Sequence, residues 1–391
     1  MEKTPQSNRI HIGVFGKRNA GKSSLINDLA GQEIAIVSEK KGTTTDPVQK
    51  SAELSELGSV VLMDTAGFDD DEELLGSMRQ EKTRSMALRS DIALLLVEQG
   101  DGELQLEDEY LQYFSEAKTP VIGIITKGKD SFLENYFDEH QLPWLYYERG
   151  GLGRERLIEH LRDQVTEDTT TITGALCKGG DVVMLVMPQD ASAPKGRLIL
   201  PQVQTIRELL DKGVTTISTT PEGLESSMEA LVAPPDLIIT DSQVFKEVYE
   251  KKPESSKLTS FSVLFAGYKG DLPYYLEGIK ALEDLKPQAH ILIAEACTHA
   301  PQNEDIGRVK LPKLLRKHLG DQIEIDITSG QDYPLDLTGY DLIISCGACM
   351  FNKKHMLGRI KRAKDQGVPM TNYGVILAYL NGILEDVSLP L

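Results

Sequence analysis

Three of the four cysteines in this 391-residue chain lie where side chains could do coordination chemistry. Cys346 and Cys349 form a C-x-x-C pair in "SCGAC", directly after the apolar run "DLII". Cys297 follows "AHILIAEA" and is joined two residues on by His299. Gly347 is expected to permit the tight turn that brings the C-x-x-C pair together. Three thiolates and one imidazole would close a structural zinc site. Three thiolates with a weak or replaceable fourth ligand suit a 4Fe–4S cluster with an accessible iron. A redox-active C-x-x-C is a third reading, and small buried apolar cysteines a fourth. Cys177, in "GALCKGG", stands apart and reads as structural.

A second constellation lies near the start. "GKRNAGKS", Gly16 to Ser23, matches G-x-x-x-x-G-K-S between an alternating β-branched run, "RIHIGVF", and the helix-spaced "SSLINDLAG". Strand, glycine loop and helix are the context this phosphate-binding motif requires. Backbone N–H groups from Gly16 through Asn19, Ala20, Gly21 and Ser24 can surround phosphate oxygens. Lys22 reaches the β- and γ-phosphates, Ser23 ligates Mg²⁺, and the helix dipole adds positive potential. "KGTTTDP" follows as a polar loop whose hydroxyls could complete the Mg²⁺ shell, and "VVLMDTAGFDD" supplies Asp64 behind the metal and Gly67 as a γ-phosphate sensor. Lys22, Thr44, Asp64 and Gly67 are therefore the expected catalytic set. These elements resemble the translation-factor-like class of small GTPases, including the Era and MnmE branches, over about residues 9–165.

Phe68 stands where Ras-type enzymes carry a water-orienting glutamine, so hydrolysis is expected to be slow or helped otherwise. Asn19 with "GTT" at 42–44 looks like the pattern of potassium-activated GTPases. That resemblance implies that Asn19 and Thr43 touch K⁺ while Thr44 and Ser23 hold Mg²⁺. Base recognition is less regular. "VIGIITKGKD" gives Thr126 and Lys127, but position 129 is lysine and the nearest carboxylate is Asp130. Either the loop shifts by one residue or guanine selection is weakened.

The elements that must position these groups read as α/β throughout. Residues 1–170 are expected to form a P-loop GTPase domain, with "TEDTTTIT" (Thr166–Thr173) as linker. Two further α/β domains with mainly parallel sheets are expected at 175–257 and 258–391, joined by "KPESSKLTS" (Lys252–Ser260). The last should hold about five strands: "FSVLFAG", "QAHILIAEAC", "QIEIDITSG", "YDLIISCGAC" and "GVPMTNYG". In open parallel sheets ligands sit beyond the carboxyl ends of strands, where Cys297 and Cys346 both fall.

Sixty acidic against 42 basic side chains give a formal charge of −18, which disfavours nucleic acid or an anionic membrane as main partner. The sequence has no secretory h-region and no run of about 18 apolar residues, so a cytoplasmic protein is expected.

The cysteine set and the N-terminal switch, with "APKGRLILPQVQTIRELLDKG" (Ala193–Gly213), "EDIGRVKLP" (Glu304–Pro312) and "TNYGVILAYLNGIL" (Thr371–Leu384), are similar to the HydF family. Its members are GTPase maturation factors of FeFe-hydrogenase. The resemblance implies a homodimer formed through the middle domain, and a 4Fe–4S cluster on Cys297, Cys346 and Cys349. It also implies an exchangeable fourth ligand, with His299 matching the motif's histidine and Glu304 a labile carboxylate. The implied role is a carrier that accepts a diiron precursor from the radical-SAM maturases HydE and HydG and delivers it to the hydrogenase apoprotein. One departure is that Ser345 occupies the position of the usual histidine before C-x-x-C. A rival reading is a GTPase with a zinc-stabilised domain acting in RNA modification or assembly. The basic stretch "NKKHMLGRIKRAK" (Asn352–Lys364) reads either as an attractor for an anionic cargo or as the solvated face of a helix.

Overall fold

The computed structural model describes residues 5–31, 48–54, 57–65, 76–149, 152–165, 169–189, 198–296, 306–330 and 332–390. The chain divides into two compact units, Met1–Asp168 and Thr169–Leu391. No helix among the described residues is long and apolar enough to cross a membrane.

The first unit is built on β1 (Ile10–Phe15), β2 (Val48–Leu54), β3 (Gly58–Asp64), β4 (Ile92–Glu98), β5 (Val121–Thr126) and β6 (Trp144–Tyr147). Its sheet runs β2-β3-β1-β4-β5-β6, parallel except for β2. The helices are α1 (Lys22–Ala30), α2 (Gly76–Arg89), α3 (Gln105–Ala117), α4 (Ser131–Glu139) and α5 (Leu152–Gln164). Central β4 is apolar from Ile92 to Val97 because both its faces are covered. Ile92, Leu94 and Leu96 enter one core, while Ala93, Leu95 and Val97 enter the other. In register, Val14 of β1 lies beside Asp64 of β3, so the loops after the two strands leave from the same edge.

The second unit holds two four-stranded parallel sheets. One runs β10-β9-β7-β8, from β7 (Val182–Val186), β8 (Thr215–Thr219), β9 (Leu237–Thr240) and β10 (Lys257–Ser260), with α6 (Leu200–Asp211), α7 (Leu224–Glu229) and α8 (Phe245–Lys251) between them. The other runs β12-β11-β13-β14, from β11 (His290–Ala294), β12 (Glu324–Thr328), β13 (Leu342–Ser345) and β14 (Met370–Asn372). Around it lie α9 (Phe261–Lys269), α10 (Leu272–Glu283), α11 (Leu311–Leu319), α12 (Lys353–Asp365) and α13 (Tyr373–Leu380).

Three sequence expectations are corrected here. "FSVLFAG" is not a strand but the start of α9, capped by Ser260, whose hydroxyl accepts from the Val263 N–H. Its apolar run reflects burial on several sides, which a strand and a core helix share. "KPESSKLTS" is no joint, since Lys257–Ser260 is β10, hydrogen-bonded to β9 and lying across the boundary drawn at 257/258. The described part of the threonine-rich stretch is not a loose linker. Ile172 and Thr173 are buried, and Glu208 on α6 accepts from both of their N–H groups. The C-terminal stretch reaches into the other sheet's core, where Ala378, Ile383 and Val387 pack with Met184 and Val186.

Close approach of α10 to β14 depends on Gly278, where an added Cβ would stand 2.2 Å from the Met370 carbonyl oxygen. Backbone cannot swing aside as a side chain can. Gly278→Ala should therefore destabilise the second unit by about 1–3 kcal/mol, read by chemical denaturation. An unchanged midpoint would mean that the helix rides further from the sheet.

Candidate functional sites: a phosphate loop and a thiol turn

The phosphate loop leaves β1 at Gly16 (φ 140°), passes Asn19 (φ 67°) and enters α1 through Gly21 (φ 99°). A Cβ on Gly16 would meet the Leu96 carbonyl at 2.3 Å, so this glycine is required by both dihedral and space. Asparagine is among the few other residues that accept the left-handed region. The Lys22 ammonium is buried over the loop, donating to the carbonyls of Gly16 at 2.5 Å and Lys17 at 2.9 Å. Ser23 donates to Asp64 at 3.0 Å, so the two expected Mg²⁺-side residues meet across the β1–β3 edge. Thr126 at the end of β5 pins the loop, its hydroxyl donating to the Ala20 carbonyl at 3.0 Å. Ser24 lies exposed in the first turn of α1. Thr43, Thr44 and Gly67 lie outside the described residues.

A further contact has no signature in the motif. Lys17 within the loop meets Asp101 at 2.8 Å and the fully buried Glu107 at 3.6 Å. Burial pushes the Glu107 carboxyl above the usual range, with the Lys17 charge acting against it. The pair ties a variable position of the loop to α3.

At the base-recognition end, Asp130 is the N-cap of α4. One carboxylate oxygen accepts from the N–H groups of Phe132 and Leu133, and the other from Gly100 N–H at 2.8 Å. These bonds, Gly100 foremost, hold its carboxyl below the usual carboxylate range. Lys127 pairs with Glu98 at 2.8 Å. Both Asp130 oxygens are thus engaged by backbone, and position 129 offers an ammonium.

The thiol turn follows β13. Because β11 and β13 pair in parallel with Ala294 beside Ser345, the segments beyond them emerge together. The Ala296 N–H donates to the Cys346 sulfur at 3.0 Å, and the Ala348 N–H approaches it at 3.4 Å. Cys297 is the next residue after Ala296; it, His299 and Glu304 lie outside the described residues. Among the described residues no three His, Cys, Asp or Glu side chains converge. Burial pushes the Cys346 thiol up to about 11. The left-handed residue of the turn is Ala348 (φ 49°), whereas Gly347 lies outside the positive-φ region, so the expectation for Gly347 is corrected. Ser345 is buried and donates to the Thr371 carbonyl at 3.2 Å, which commits it to the sheet. Cys177 is buried in the core under β7, as its structural reading requires.

Two cations missed as site residues adjoin this turn. Lys269, at the end of α9, is 3% exposed and donates to the Phe351 carbonyl at 2.8 Å and the Ala348 carbonyl at 3.3 Å. Burial lowers its ammonium to about 8, against the pull of Cys349 and Cys346. Arg359 on α12 is 5% exposed, with its guanidinium 4.7 Å from the Tyr333 ring centroid and 4.6 Å from that of Phe351. The solvated-face reading therefore fails at Arg359. A single lysine closing the apolar run "FSVLFAGYK" was the available signal for Lys269.

Asp130→Ala should lower the melting temperature by removing a helix cap, while leaving the preference for GTP over ATP essentially unchanged. Collapse of that preference in competition binding would mean that the carboxylate leaves the cap for the base.

Family models match most of the chain. One described as a 50S ribosome-binding GTPase covers residues 11–127. The hydrogen maturase F dimerization domain covers 172–270, and the hydrogen maturase F tetramerization domain covers 273–389. GTPase Der of Nautilia profundicola is 31% identical over 173 residues, 41% of this chain and 36% of its own length. The tRNA modification GTPase MnmE of Brucella anthropi is 33% identical over 181 residues, 42% of this chain and 40% of its own. The chain thus spans no more than two-fifths of either relative. The solved G domain of the T. maritima FeoB iron transporter aligns over 41% of this chain and all of its own at 19% identity, with a TM-score of 0.30. With a GTPase domain followed by both maturase domains, the chain belongs to the HydF family of hydrogen maturases.

Proposed function

We propose that the chain is a GTP-hydrolysing scaffold that holds a 4Fe–4S cluster, accepts the diiron precursor of the FeFe-hydrogenase active site and passes it on. The observation that carries this reading is the Ala296 N–H on the Cys346 sulfur, one residue before Cys297. Two strand ends that are distant in sequence therefore share one rim, with Cys346 at it.

Cys297, Cys346 and Cys349 would hold the cluster, and the donor set fits, since thiolates are the usual ligands of such iron. When bound, the cluster supplies an iron with one coordination place open to exchange. His299 or Glu304, whose nitrogen or oxygen donors leave iron more readily than thiolates, would fill that place. Ser345 takes no part, its hydroxyl being used by β14. In the other unit Lys22 would neutralise the β- and γ-phosphates, Ser23 and Thr44 would hold Mg²⁺, and Asp64 would orient that shell from behind Ser23. Asn19 and Thr43 would contact K⁺. The proposed partners are the radical-SAM maturases HydE and HydG, the hydrogenase apoprotein and further copies of this chain, the last in keeping with the two matched oligomerization domains.

Anaerobic reconstitution should give a brown protein with broad absorption near about 400 nm. Cys346→Ala should abolish cluster retention while sparing GTP hydrolysis. Colourless protein carrying stoichiometric zinc would favour the zinc-stabilised alternative, and loss of both functions in Cys346→Ala would deny that they are separable. Hydrolysis should run several-fold faster in K⁺ than in Na⁺, and equal rates would remove the monovalent cation from the mechanism.

A further inference from the structure

A buried charge in a protein interior is ordinarily paired, because taking it out of water is costly. Lys269 and Arg359 break that pattern. Each is at least nine-tenths buried, and neither has a carboxylate partner among the described residues. Lys269 is held by carbonyl oxygens of the thiol turn, those of Ala348, Cys349 and Phe351. Arg359 is sandwiched between Tyr333 and Phe351 and donates to the Gly330 carbonyl. The Arg359 Nε and the Tyr333 hydroxyl are buried without a hydrogen-bond partner. Phe351, which contacts both cations, lies two residues after Cys349. The charged groups facing this pair from α9, α12 and the turn are Cys346 and Cys349, with Arg362 as a further cation on α12.

We propose that Lys269 and Arg359 form a cationic cradle for an anionic group bound at the C-x-x-C turn, setting its charge balance and reduction potential as positioning residues rather than ligands. This rests on the cluster reading above and deepens it. A thiolate-ligated iron–sulfur group is a net anion, and it becomes more negative on reduction. Nearby buried cations stabilise the loaded state over the empty one and the reduced state over the oxidised one. The anionic group in turn gives the two cations a counter-charge that no carboxylate among the described residues provides. Fixed cations are also suited to receiving a further anionic ligand on the same iron.

The full-length chain is reconstituted anaerobically with iron and sulfide as wild type, Lys269→Met, Lys269→Arg and Arg359→Met. Cluster lifetime against an iron chelator and midpoint potential are then measured. Both Met variants should lose the cluster about tenfold faster and titrate at a more negative potential, while Lys269→Arg should retain the wild-type potential. A merely structural lysine would alter lifetime without moving the potential. Should Lys269→Met fail to fold, Arg359→Met carries the same comparison. Loaded Met variants with the wild-type potential would overturn the cradle alone. Wild-type protein that takes up no iron and sulfide would overturn the cluster reading beneath it.

Discussion

Parallel pairing between β11 and β13 is the constraint on which the second unit's candidate site depends. With Ala294 beside Ser345, two segments far apart in sequence leave the sheet side by side, and a backbone N–H from one reaches a cysteine sulfur on the other. Hydrophobic burial holds that register. Ile291, Leu292, Ile293, Leu342, Ile343 and Ile344 are all fully buried, so both faces of the pair are covered and a slip of one residue would exchange side chains between two packed faces. The thiol turn itself needs little intrinsic stability, because the sheet and Lys269 position it from outside.

The first unit uses the same device. Val14 lies beside Asp64, and the loops after β1 and β3 meet through Ser23 and Asp64. In both units the candidate site sits past the carboxyl ends of parallel strands, over a rigid base. The nucleotide loop is further fixed from two sides, by Thr126 from β5 and by the buried Glu107 through Lys17. Preorganisation of this kind limits the ordering that ligand binding must impose.

What could be read from sequence was what is local. Gly16, Lys22 and Ser23 belong to one contiguous motif whose strand and helix flank it directly. The β11 and β13 strands showed as β-branched runs ending on cysteines, so their common edge followed from the parallel topology. Non-local compensation was not legible. Nothing near Lys269 in the chain announces that its partners are carbonyls some 80 residues away, and Arg359 is masked by neighbouring basic residues that do face solvent. Helix α9 was misread because its composition reports burial rather than period. At Ala348 the turn places its left-handed residue beside the glycine that composition suggested, a choice set by the turn's hydrogen bonds to Cys346.

The shared rim is tested most directly by locating iron itself. Anomalous diffraction at the iron edge, on anaerobically loaded crystals of the full chain, should place one compact iron centre bonded to the sulfurs of Cys297, Cys346 and Cys349, with Lys269 and Arg359 nearby but unbonded. Iron bound elsewhere, or Cys297 turned away from the other two sulfurs, would contradict the account.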